Sequence, residues 1–113
     1  MAETAHTVCR LQALDDPGSR GFSLQLPEGQ VDILLVRRGA QVYAYRNRCP
    51  HTGVNLEWQP HQFLDLTGRF ILCANHGALF RFEDGFCLRG PCAGQRLTPL
   101  AVRVEDGSVV VVA

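Results

Sequence analysis

An all-β domain is the fold that this 113-residue sequence predicts, and three observations carry the prediction. Short apolar or alternating runs recur along the whole chain. Turn signals such as Arg38-Gly39, Thr67-Gly68 and Asp106-Gly107 fall between pairs of those runs. No segment sustains a helical period.

Taken in order, Val8–Leu14 reads as the first strand, ended by Asp15-Asp16-Pro17-Gly18. Phe22–Leu26 follows and is closed by Pro27-Glu28-Gly29. Val31–Arg37 and Gln41–Arg46 flank Arg38-Gly39, a tight hairpin turn. Phe63–Leu66 and Arg69–Leu72 flank Thr67-Gly68 in the same manner. Leu79–Phe82 and Phe86–Leu88 surround Glu83-Asp84-Gly85. Leu100–Glu105 and Ser108–Val112 surround Asp106-Gly107, the strongest hairpin signal of the chain. There is no internal repeat, low-complexity tract or linker, so residues 1–113 read as a single domain.

An apolar content of 46% with 19% charged residues is that of a globular chain and excludes a disordered one. Eleven basic and eleven acidic residues cancel, so no nucleic-acid partner is expected. All eleven basic residues are Arg, to which no function is assigned. Met1–Thr7 lacks the charged start and apolar run of a secretory signal. No run approaches the roughly 18 apolar residues of a membrane span. The expectation is a cytoplasmic protein, where five Cys are ligands or thiols rather than disulfides.

Two short clusters carry the chemistry: Cys49-Pro50-His51 and Cys73-Ala74-Asn75-His76. Each combines a soft thiolate with an imidazole, the side chains that bind zinc and iron, while hard cations prefer oxygen. Both lie at strand ends, in loops containing Pro50, Gly53 and Gly77, where rigid strands can hold a metal site. Glycine lets backbone approach a bound metal group closely, and neighbouring N–H groups can donate to its ligand atoms. A structural zinc site is one reading, since Cys₂His₂ is a complete tetrahedral set. Zinc fingers, however, supply the two Cys as one pair and the two His as another. A four-Cys cluster from Cys49, Cys73, Cys87 and Cys92 fits neither common ferredoxin spacing and leaves both histidines unused.

The pattern closely resembles the Rieske [2Fe–2S] domain family. The resemblance rests on Cys49-Pro50-His51-Thr52-Gly53, on Cys73-Ala74-Asn75-His76-Gly77-Ala78-Leu79-Phe80, and on Asp84-Gly85 and Gly90-Pro91. It covers about residues 47–93 in motif detail and the whole chain in strand pattern. It implies an antiparallel β-sandwich or barrel base with a small cluster-binding subdomain of two ligand loops. It also implies one [2Fe–2S] cluster, with Cys49 and Cys73 on the inner iron and His51 and His76 on the outer, solvent-facing iron. Gly90-Pro91-Cys92 takes the place of the proline-containing loop that covers the third side.

High-potential relatives join their ligand loops by a disulfide, and the matching positions here are Val54 and Asn75. Those relatives also donate Ser and Tyr hydroxyls to cluster sulfurs, where this chain has Ala78 and Phe80. Such hydrogen bonds stabilise the reduced state, so their loss predicts a potential near the low end of the range, roughly −150 mV. Cys87 and Cys92 read as small loop residues, with a loop-stiffening disulfide as the sharper alternative. Cys9 is expected to pack in the first strand, His61 to lie at the surface, and Trp58 and Phe63 to pack beneath the ligand loops.

By this resemblance the chain is expected to be a one-electron carrier without catalysis of its own. Its expected partners are a flavin-dependent reductase and an oxygenase or other terminal redox enzyme. Arg46, Arg48, Arg81 and Arg89 are placed to steer an acidic partner, although plain solvation explains them equally well. The other redox reading is the small subunit of a nitrite-reductase-like complex. An oxygenase with its own catalysis needs a further iron-bearing domain, for which 113 residues leave no room. A cluster-based sensor lacks an effector or DNA-binding element.

Overall fold

The structure is a computed structural model that describes residues 5–27, 29–50, 53, 55–56, 61–74 and 77–112. Nine strands are formed among them: β1 (Ala5–Arg10), β2 (Gly18–Leu26), β3 (Gly29–Arg38), β4 (Gln41–Arg46), β5 (Phe70–Cys73), β6 (Ala78–Arg81), β7 (Cys87–Arg89), β8 (Pro99–Glu105) and β9 (Ser108–Val112). They make an all-β fold of two antiparallel sheets. The larger, of order β1-β9-β8-β4-β3-β2, is nearly closed and barrel-like, and the smaller has the order β5-β6-β7.

Strand β3 joins the two layers. Its run Ile33-Leu34-Leu35-Val36 is wholly buried because successive side chains point to opposite faces and both faces are covered. Ile33 and Leu35 enter a core inside the barrel with Leu24, Val42, Ala44, Val109 and Val111. Leu34 and Val36 enter a second core with Phe63, Ile71, Phe80, Phe82 and Leu97, between the large sheet and the small one. Four of the chain's Cys, at positions 49, 73, 87 and 92, lie in this second core.

Three strand expectations need correction. The first strand stops at Arg10, because Leu11–Ala13 turns into a single 3₁₀ turn. The Arg37 guanidinium holds that turn by donating to the carbonyls of Leu11 and Leu14 at 3.3 and 2.8 Å. The second strand begins at Gly18, four positions before the expected Phe22. Phe63–Leu66 forms no strand, only an isolated bridge between Leu64 and Ile71. The Asp65 carboxylate there takes the N–H groups of Arg69 and Phe70, at 3.2 and 3.3 Å, which draws the backbone into a turn. The other strands match within one to two residues, and hairpins β3–β4 and β8–β9 close at Gly39-Ala40, one position past the expected Arg38-Gly39, and at Asp106-Gly107.

Candidate metal centre

Cys49 follows β4 by three positions and Cys73 is the last residue of β5, so each cluster begins where a strand ends. Both are buried, at 1% and 0% exposure, in the core between the sheets. The loops that start at these two residues close alike. Gly53 N–H donates to the carbonyl of Cys49 at 2.8 Å, and Gly77 N–H donates to that of Cys73 at 2.9 Å. Gly53 and Gly77 have φ of +77° and +70°, a conformation that glycine adopts without the penalty of a Cβ. The two loops are also tied together, since Ala74 N–H donates to the carbonyl of Leu56 at 2.9 Å.

His51 and His76 lie outside the described residues, as do Thr52, Val54, Trp58 and Asn75. Phe63 is fully buried in the core that holds Cys49 and Cys73, as the sequence predicts. Ala78 and Phe80 are fully buried and apolar, with Ala78 paired to Cys73 across β5–β6. No side-chain hydroxyl is therefore available at either position.

The third loop, 87–95, folds back on itself. Cys87 N–H donates to Gln95 O at 2.8 Å, Gly94 N–H to Cys87 O at 3.1 Å, and Gln95 N–H to Cys92 O at 2.9 Å. This brings the buried thiols of Cys87 and Cys92 into contact at 3.2 Å, unbonded, with Cys87 also 3.2 Å from the Arg89 carbonyl. Burial, then contact with Cys87, pushes the Cys92 thiol up to about 12. Among the described residues no three Cys, His, Asp or Glu side chains are arranged to hold a metal ion.

The surface around the loops is mixed. Pro50 is half-buried and Pro91 exposed, Leu88 is 45% exposed, and Arg48 and Arg89 face solvent. The Arg48 guanidinium lies over Gly53 of the first loop. Arg81, grouped with these by sequence, stands at the other end of β6 from the Cys73–Ala78 pair and is engaged by Asp84. His61 is an exposed residue whose Nδ1 accepts the Gly21 N–H at 3.0 Å, a structural contact on the large sheet.

Sequence reasoning missed Asn47, which is buried two positions before Cys49 and accepts the Leu56 N–H at 2.8 Å. Its only sequence signal is an amide residue at the mouth of a ligand loop.

The Rieske [2Fe-2S] domain family model matches residues 5–112, and the chain belongs to this family. Its cofactor is a Rieske-type [2Fe–2S] cluster. The chemistry of the two buried thiolates, each at the head of a glycine-closed loop, fits that group. No curated protein matches the chain. Among solved structures, one is a chain in the complex of reduced oxygenase and oxidized ferredoxin in carbazole 1,9a-dioxygenase. It is 24% identical with a TM-score of 0.74, over 95% of this chain and 91% of that one. The ferredoxin of carbazole 1,9a-dioxygenase from Nocardioides aromaticivorans IC177 is 22% identical with a TM-score of 0.73, over 96% of each chain. A protein described as an NADH-dependent nitrite reductase small subunit from Mycobacterium tuberculosis is 25% identical, with a TM-score of 0.70. That likeness covers 100% of this chain and 97% of that one. Among the described residues no helix is long and apolar enough to cross a membrane.

Proposed function

We propose that the chain is a one-electron carrier, with Cys49 and Cys73 holding the inner iron of its cluster and His51 and His76 the outer iron. The observation that carries this reading is the burial of Cys49 and Cys73 in one core, within a chain matched to the family from end to end. When bound, the cluster supplies a single iron that cycles between ferric and ferrous. The chain's own residues do the rest. Buried Phe63 and Phe80 keep water from the thiolate side, and the paired glycine closures fix the direction of each Cys side chain.

On this reading His51 and His76 are the point of electron entry and exit, and Pro50, Gly53 and the Pro91 loop are the expected apolar rim. Arg48 and Arg89 are exposed and favour an acidic partner surface. An oxygenase as acceptor suits this reading, as the likeness to a chain in the oxygenase–ferredoxin complex of carbazole 1,9a-dioxygenase suggests, and a flavin-dependent reductase is the donor that the sequence resemblance implies. Apolar Ala78 and Phe80 in place of hydroxyl donors put the potential near the low end for such sites. A structural zinc site is disfavoured, because the family's metal group is the [2Fe–2S] cluster. The nitrite reductase small subunit remains as a second reading, supported by the full-length likeness to that protein.

Two transfer assays separate the readings. Reconstituted protein, reduced chemically, is mixed with an aromatic-ring oxygenase or with a nitrite reductase large subunit. Rapid reoxidation by the oxygenase at one electron per chain supports the carrier reading. Reoxidation only by the large subunit and nitrite assigns the chain to the second.

A further inference from the structure

Among the described residues, Asn47 has the only buried amide or charged side chain, at 5% exposure. A buried polar group is unfavourable unless it is hydrogen-bonded, so its position calls for a physical reason. Its backbone N–H donates to the carbonyl of Asp32 on β3 at 2.9 Å, which fixes it to the large sheet. Its Oδ1 accepts the N–H of Leu56 at 2.8 Å, nine positions on, and so closes the neck of the first ligand loop. Leu56 is fully buried, and without Asn47 Oδ1 its N–H loses that acceptor away from water. Through its carbonyl, Leu56 then holds Ala74 N–H at 2.9 Å, beside Cys73. An outer contact supports the same neck: Asn55 Nδ2 donates to Asp32 Oδ2 at 3.3 Å, while the Ser23 hydroxyl donates to Asp32 Oδ1 at 2.7 Å.

One amide oxygen therefore links the base sheet to the first loop and, through Leu56, the first loop to the second. We propose that Asn47 is a positioning residue for the cluster: its side-chain carbonyl sets Cys49 against Cys73 before any iron arrives. The inference rests on the cluster reading given above. Groups that orient metal ligands in this way are worth about 10- to 100-fold in metal retention.

The test compares the wild-type chain with Asn47→Leu, which keeps the bulk and loses the acceptor, and Asn47→Asp, which keeps an oxygen in place. Each is loaded with iron and sulfide, and cluster loss to excess chelator is followed by visible absorbance. Asn47→Leu should lose its cluster about 10- to 100-fold faster than wild type. Asn47→Asp should lose it at nearly the wild-type rate. Urea midpoints of the metal-free chains are measured in parallel. Equal loss rates for wild type and Asn47→Leu overturn the proposal, as does a faster loss fully accounted for by a lower urea midpoint. If Asn47→Leu does not fold, Asn47→Ser, too short to reach Leu56, replaces it. A second measurement needs no metal: the amides of Leu56 and Ala74 should exchange slowly in the metal-free wild type, and fast exchange overturns preorganisation. A wild-type chain that takes up no [2Fe–2S] cluster would sink the cluster reading instead, and the amide exchange would still report on Asn47.

Discussion

Gly90 lies so close to Ala78 that a Cβ built on it would stand 2.8 Å from the Ala78 Cα. Ala78 follows the second ligand loop and pairs with Cys73, so this contact seats the third loop directly on the metal centre. Its φ of +105° also suits glycine alone. Gly90→Ala should therefore push the 90–93 turn away from the second loop. The expected cost is about 1–3 kcal/mol of stability, with faster cluster loss to chelator. Thermal unfolding and absorbance decay check this, and a variant with wild-type values in both contradicts the seating.

Tyr45 on β4 donates its buried hydroxyl to the carbonyl of Phe82, just past β6, and so joins the large sheet to the small one. Burial pushes the phenol far above its ordinary value, and it stays a neutral donor over the working pH range. Tyr45→Phe keeps the ring and leaves the Phe82 carbonyl short of a partner. Urea unfolding should show a loss of about 1–3 kcal/mol. An unchanged midpoint would mean that this hydrogen bond does not help to hold the two sheets together.

The hydrogen bond from Ser23, then that from Asn55, holds the Asp32 carboxyl below the ordinary value of 3.8. A depressed carboxyl contributes stability that is full above its unfolded value and is lost as the pH falls through its folded value. Wild type should accordingly exceed Asp32→Asn in urea midpoint at pH 7, and the gap should narrow once the pH falls below 3.8. A gap that stays constant or widens in acid contradicts the assignment.

Cys87 and Cys92 touch as buried side chains, and burial keeps a reagent from reaching either sulfur. In the native protein at neutral pH neither should react at an appreciable rate with iodoacetamide. After unfolding without reductant both should be alkylated, as mass spectrometry would show. A pair that resists alkylation when unfolded is a disulfide, the alternative the sequence raised.

Much of the site is legible in the sequence because its parts are local. Cys49 and Cys73 stand with Pro50, Gly53, Gly77 and Ala78 in fixed spacing, and spacing survives into any fold. The strand pattern is legible for the same reason, since Ile33–Val36 and Val109–Val112 carry their periodicity within themselves. What escapes depends on particular side-chain contacts that no periodicity announces. The first strand ends early because of Arg37, a residue more than twenty positions away. Phe63–Leu66 loses its ladder to the Asp65 carboxylate. Asn47 reads as an ordinary turn residue until Leu56 and Ala74 are brought to it by the core. Arg81 and Arg48 look alike in sequence, yet Asp84 engages one while the other covers Gly53.

The central claim is a cluster held by two Cys and two His, and electron paramagnetic resonance tests it most directly. Anaerobically prepared protein is reduced with dithionite and titrated against potential. The account predicts a rhombic signal with an average g clearly below that of all-Cys [2Fe–2S] clusters, and a midpoint near the low end of the Rieske range. A colourless, silent protein that binds zinc after attempted reconstitution would contradict it.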